Sequence, residues 1–168
     1  MTGVIKVPIR YVPAKLTRKD TKAQLRMLMK SKKLYKSNQY YTRKRVASYS
    51  HKPSFHLRTA RQMYGVESMT PTKELATKTG CSLSALRQIV KKGEGAYYSS
   101  GSRPNQTAQS WGLARLASSL TAGKSAAVDF NIIEDGCQHN KKAYKMAKIA
   151  KRKYKYGHSS TRKHKFKY

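Results

Sequence analysis

A chain of 168 residues with 37 Lys and Arg against seven Asp and Glu carries a formal charge of +30 at neutral pH. A compact domain repels itself at that charge, so its working state is expected to include a polyanion or acidic surface: nucleic acid, anionic lipid or acidic protein. The longest apolar runs span only a few residues, as at Asn131-Ile132-Ile133, and the N-terminus lacks the apolar core of a signal peptide, so neither a membrane span nor a secretion signal is expected.

The acids divide the chain. Residues 1–60 carry 16 cations and one acid, Asp20; residues 61–140 carry nine cations and six acids; residues 141–168 carry twelve cations and no acid. The apolar residues from Leu75 to Ile133 concentrate in the same middle segment. The expectation is a mainly α protein: a basic arm with one amphipathic helix (1–60), a compact helical domain (61–140) and a basic helix and tail (141–168). Arms of this composition are expected to be disordered until a partner orders them.

In chain order, Val4 to Pro13 is β-branched and holds two prolines, which suits an extended strip laid on a neighbour better than a central strand. Thr17 and Asp20 stand at capping-box spacing, with Asp in place of Glu. Leu25, Leu28, Met29 and Lys32 then follow one face of a helix of about fifteen residues. From Leu34 to Tyr49, Tyr35, Tyr40 and Tyr41 interleave with Lys36, Arg43, Lys44 and Arg45. That mixture suits base stacking with phosphate neutralisation, and equally a protein interface. A shorter helix is expected from Ser54 to Tyr64, closed by Gly65.

Thr70-Pro71 reads as a helix start. Within ELATKTGCSLSALRQIVKK (residues 74–92), Ala76, Gly80, Leu86 and Ile89 match a helix-turn-helix: a small residue at the crossing, a turn glycine and two apolar anchors. Ser82 would cap the second helix. Ser84, Ala85, Arg87, Gln88, Lys91 and Lys92 would then face outward, where a DNA groove could be contacted.

Residues 93–107, rich in Gly and Ser, read as loop. The stretch from Tyr97 is expected to pack back on the middle domain through a buried Trp111 and to present Arg103 and Asn105 to a partner or to backbone carbonyls. Thr121-Ala122-Gly123-Lys124-Ser125 ends like a phosphate loop, but residue 118 is Ser rather than Gly and a helix precedes it, so it reads as helix punctuation instead. Ala143, Tyr144, Ala147, Ala150 and Tyr154 make a narrow apolar stripe on a cationic helix that Gly157 would end. The tail from His158 has no core of its own.

Site chemistry is sparse. Cys81 and Cys137 are too few for a disulfide framework and form no CxxC pair, so reduced thiols in an intracellular protein are expected. Cys137-Gln138-His139 is the one Cys/His cluster, and a metal would need a further, distant ligand. With no paired acids and no nucleophile signature, no catalytic residue, metal, cofactor or small-molecule substrate is expected.

Residues 72–137, above all YYSSGSRPNQTAQSW, resemble a family of small basic proteins of nucleocytoplasmic large DNA viruses, including phycodnaviruses and mimivirus relatives. The IRYVPAKLTRKDTKAQ opening and the YYTRKR stretch extend the resemblance over nearly the whole chain. The resemblance implies viral origin and carries no assigned activity. The expected function is that of a minor capsid protein, cementing shell proteins within a virion assembled in the host cytoplasm. Its partners would be capsid proteins, together with DNA or an anionic inner-membrane surface. The alternative is a virion DNA-binding protein using the helix-turn-helix; a ribosomal or other RNA-binding protein comes third, on charge alone.

Overall fold

Thr17 accepts the backbone N–H of Asp20 at 3.2 Å, and from this cap helix α1 (Arg18–Tyr35) runs for 18 residues in the computed structural model. The structure describes residues 3–155 and 162–167. The return bond of a capping box is not made. Instead the Asp20 carboxylate accepts the N–H and hydroxyl of Ser48, whose Oγ in turn accepts the Thr17 N–H. The buried stripe of α1 is Gln24, Leu25, Leu28 and Ser31, with Met29 and Lys32 half-buried beside it.

Strand β1 (Val4–Pro8) pairs antiparallel with strand β2 (Lys163–Lys167), placing Ile5 opposite Phe166 and Val7 opposite His164. The N-terminal strip is therefore extended, as expected, but its neighbour is the C-terminal tail of its own chain. Gly157 lies outside the described residues; the last helix ends at Tyr154.

Helix α2 (Phe55–Tyr64) ends where Gly65 takes φ 61°, a left-handed conformation that glycine adopts without penalty. Helix α3 (Lys73–Thr79) is capped by Thr72, two residues after the expected start, because the Thr72 hydroxyl accepts the Leu75 N–H. Gly80, at φ 73°, turns the chain into α4 (Leu83–Ser99), where Ser82 Oγ accepts the Ala85 N–H.

Helix α4 takes the first seven residues of the loop expected over 93–107 and leaves 100–107 as loop. Its glycines serve close packing: a Cβ on Gly93 would lie 2.6 Å from the Cα of Gly112, and one on Gly112 would lie 2.6 Å from the carbonyl of Val90. Gly112 belongs to α5 (Ala108–Leu120). Trp111 is half-buried rather than enclosed. Helices α6 (Lys124–Val128), α7 (Phe130–Gly136) and α8 (Lys142–Tyr154) complete the eight helices among the described residues. Along α8 the expected stripe is present, with Ala143, Ala147 and Ala150 fully buried and Tyr144 and Tyr154 partly so.

The chain groups into two compact units. One comprises Met1–Lys52, Gly95–Ala108 and Ser159–Tyr168; the other comprises Pro53–Glu94 and Gln109–His158. The second holds the apolar core, centred on Leu75, Leu86, Ile89, Leu116, Leu120 and Ile133. The first is not the free arm that its charge suggests: Val7, Leu25, Leu28, Val46 and Tyr97 are buried together with the polar Gln24, Ser31, Arg43 and Ser102. Cys81 and Cys137, expected as free thiols, form a disulfide beside backbone hydrogen bonds from Ser82 N to Gly136 O (2.7 Å) and Gln138 N to Gly80 O (2.8 Å). Those bonds align two segments that lie 56 residues apart in sequence.

Candidate polyanion-binding surfaces

The first unit has one acid, Asp20, against twenty Lys and Arg. That acid is committed to Ser48, whose hydroxyl and N–H hold the carboxyl below its ordinary range. The unit's interior therefore has to house a cation without a carboxylate. Arg43, only 6% exposed, donates through Nη1 to Ser31 Oγ (2.9 Å) and the Tyr97 carbonyl (2.8 Å), and through Nη2 to Ser102 Oγ (2.8 Å). Its guanidinium carbon lies 3.7 Å from the centre of the Tyr97 ring, a cation–π contact. Burial lowers the Arg43 pKa, and the neighbouring tyrosines oppose that shift. The Tyr97 hydroxyl accepts the Arg43 N–H at 2.9 Å, and burial raises its pKa.

Beside this buried charge three rings come together. Tyr98 lies 5.1 Å from Tyr40 and 6.4 Å from Tyr35, nearly parallel to the latter. Tyr35 and Tyr40 are 6.1 Å apart. The end of α1 creates this meeting: Gln39 N–H bonds the Leu34 carbonyl and Asn38 takes φ 56°, turning the chain back so that Tyr40 returns to Tyr35. Tyr40 remains 68% exposed. Lys30 Nζ stands 4.5 Å from the centre of the Tyr41 ring, and Lys36, Lys44 and Arg45 are exposed.

Arg43, expected to face a partner, is used inside the fold. Of the two roles expected for Asn105, the backbone one is present: its side chain accepts the Val46 N–H at 2.7 Å and donates to the carbonyls of Val46 and Tyr49, fastening the 43–49 segment rather than the middle domain. Arg103 is exposed. The sequence placed tyrosines and cations together but missed Tyr98 as the central ring, because the glycine-rich surroundings suggested a loop.

In the second unit, Ser84, Arg87, Gln88 and Lys91 lie on one exposed side of α4. Lys92 departs from them. Its Nζ bonds Asp129 Oδ1 at 3.0 Å, while Arg115 forks onto both oxygens of the same carboxylate at 2.8 Å. Burial alone would raise the Asp129 pKa; the hydrogen bonds and charges of Arg115 and Lys92 outweigh it and hold the group below 3.8. A shallow groove beside Ser84 and Gln88 is lined also by Asn131 and Asp135, so an acid borders that end of α4. Ala85, expected on that outward side, is instead buried, because Gly136 packs directly on it: a Cβ on Gly136 would meet the Cβ of Ala85 at 2.4 Å.

Helix α8 and its flanks expose Lys141, Lys142, Lys145, Lys148, Lys151, Arg152, Lys153 and Lys155 with no acid among them. His139, the histidine of the Cys/His cluster, donates to the Glu134 carbonyl at 2.8 Å and stacks on Tyr144 at 3.9 Å, while Cys137 is in the disulfide. Among the described residues no helix is long and apolar enough to cross a membrane.

These features define a small, basic, mainly helical protein with exposed cationic faces, joined in the first unit by exposed tyrosine. Residues 8–136 match a family of unknown function, DUF5824, and the chain belongs to it. No curated protein and no solved structure matches the chain.

Proposed function

We propose that this protein is a non-enzymatic nucleic-acid-binding component of a large DNA virus particle. The observation that carries the reading is the uncompensated charge of the first unit, where twenty cations surround one internally committed acid. Helix α8 adds a second cationic face, about 20 Å long at 1.5 Å rise per residue. A phosphate backbone complements such faces, and release of its counterions drives binding. The turn between α3 and α4, with Ser84, Arg87, Gln88 and Lys91 exposed, supports a further contact of helix-turn-helix type. Asp135 beside it repels a phosphate, so contact at that end falls to Arg87 and Lys91. The carboxylates of Asp20 and Asp129 are taken up by structural partners, Ser48 for the first and Arg115 with Lys92 for the second. The resemblance to basic proteins of large DNA viruses supports the particle as its location.

The test is binding of labelled single strands and duplexes across a salt series. Affinity should fall linearly in log–log form with a slope of several units. Absence of binding at low salt would sink this reading. A second reading, cementing between shell proteins, is favoured by apolar groups outside the core, notably Phe55 at 74% exposure, Val128 and Ile149. Retention of purified protein on assembled shells stripped of genome would support it.

A further inference from the structure

Charge alone makes no distinction between a duplex and a single strand, but the tyrosine cluster does. Phosphate neutralisation needs no aromatic group, and an exposed ring on a soluble protein loses apolar burial unless something covers it. Tyr40 is the outermost member of a connected series in which the Arg43 guanidinium lies against Tyr97, Tyr97 meets Tyr98 at 5.1 Å, and Tyr98 meets Tyr40 at 5.1 Å. Contacts with Tyr35 and Tyr98 hold the Tyr40 ring in place, so the rotamer entropy lost when a planar ligand stacks on it is already reduced. The unit around it carries one acid against twenty cations, which suits a ligand that is both planar and polyanionic.

We propose that Tyr40, supported by Tyr98 and Tyr35, is a stacking platform for an unpaired base of a single nucleic-acid strand. This inference rests on the nucleic-acid reading above and names its ligand: an open strand rather than a duplex. Bases inside a duplex offer their faces only to one another, whereas an open strand can give one base to Tyr40 while its phosphates meet nearby cations such as Lys36 and Lys44.

The experiment compares the full chain with Tyr40→Ala and Tyr40→Phe by anisotropy, using labelled 20-mers of dT and rU, a 20-base-pair duplex and polyglutamate as competitor. Because Tyr40 is largely exposed, both variants should fold normally, which circular dichroism verifies. Tyr40→Ala should weaken single-strand binding about ten- to hundred-fold with an unchanged salt slope, since one stacked base is lost and no charge is removed. Tyr40→Phe should retain the affinity, and duplex binding should stay within about twofold in both variants.

An unaltered single-strand affinity in Tyr40→Ala, or an equal loss on the duplex, overturns the platform while leaving nucleic-acid binding intact. Polyglutamate displacing the strand from the native chain, but not from Tyr40→Ala, would assign the rings to an acidic protein and overturn it as well. Failure of the native chain to bind any nucleic acid removes the functional reading itself.

Discussion

The first unit buries a guanidinium against a tyrosine ring, two serine hydroxyls and a carbonyl, whereas the second buries a carboxylate between a guanidinium and an ammonium. Their compositions explain the contrast. The second unit holds six of the seven acids and uses Asp129 to join α4, α5 and the residue preceding α7. The first holds one acid, and its cation is met by neutral acceptors and a π face. A charge enclosed without a counter-anion adds to the positive potential of its surroundings instead of cancelling it. The same arrangement that organises the first unit therefore keeps its surface attractive to anions.

Breaking the second unit should cost most. The disulfide closes a separation of 56 residues. On the chain-entropy description, replacing both cysteines by alanine, or reducing them, should therefore remove about 4 kcal/mol. Guanidinium unfolding with and without a phosphine reductant measures this, and coincident curves would refute it.

Asp129→Asn should cost about 3 kcal/mol, because Arg115 and Lys92 lose the charge that compensates their partial burial. The pH dependence follows from the sign of the shift. Asp129 has a folded pKa below its ordinary 3.8, so its contribution is present above that value and is lost as pH falls through the folded pKa. The native chain should lose stability faster than the variant below about pH 4, and the two should converge in acid. A constant difference from pH 7 to pH 2 would contradict the assignment.

Gly112→Ala is expected to cost about 2 kcal/mol by forcing α5 away from the Val90 carbonyl and Gly93. Thermal unfolding tests it, and an unchanged midpoint would show that the close approach relaxes freely.

The smallest effect sharpens the comparison. Arg43→Met should cost only about 1 to 2 kcal/mol, because Ser31 and Ser102 keep their own acceptors, the carbonyls of Tyr98 and Arg103, and chiefly the Tyr97 carbonyl loses a partner. A loss larger than that of Asp129→Asn would mean that the polar interior of the first unit, rather than the ion pair of the second, dominates stability.

Local rules made several elements legible. Thr17 caps α1 and Gly65 closes α2, because these depend on neighbours within a few residues. The alanine stripe of α8 likewise followed from helical period alone. The same rules misread Gly93: glycine is common in loops, but a glycine that lets two helices touch has the same local appearance. Trp111 reads as an aromatic group tucked under the preceding loop, yet it is half-buried and the interior is filled by Leu116, Ala117 and Leu120 of the same helix.

The candidate site divides in the same way. Tyr35, Tyr40 and their neighbouring cations could be read from composition, and the exposed side of α4 from its period. Arg43 could not be told from a surface residue, and Asn105 could be assigned to backbone carbonyls without saying which, because their partners Ser31, Tyr97, Val46 and Tyr49 become neighbours only after the chain closes on itself. By itself the sequence determined the charge, the helical periodicity and the helix caps, since each is a property of residues close in the chain. The disulfide, the pairing of β1 with β2, the burial of Arg43 and the joining of Tyr98 to Tyr40 were decided by the tertiary structure. Each needs two distant segments brought together, and nothing in the period or propensity of either segment specifies its partner.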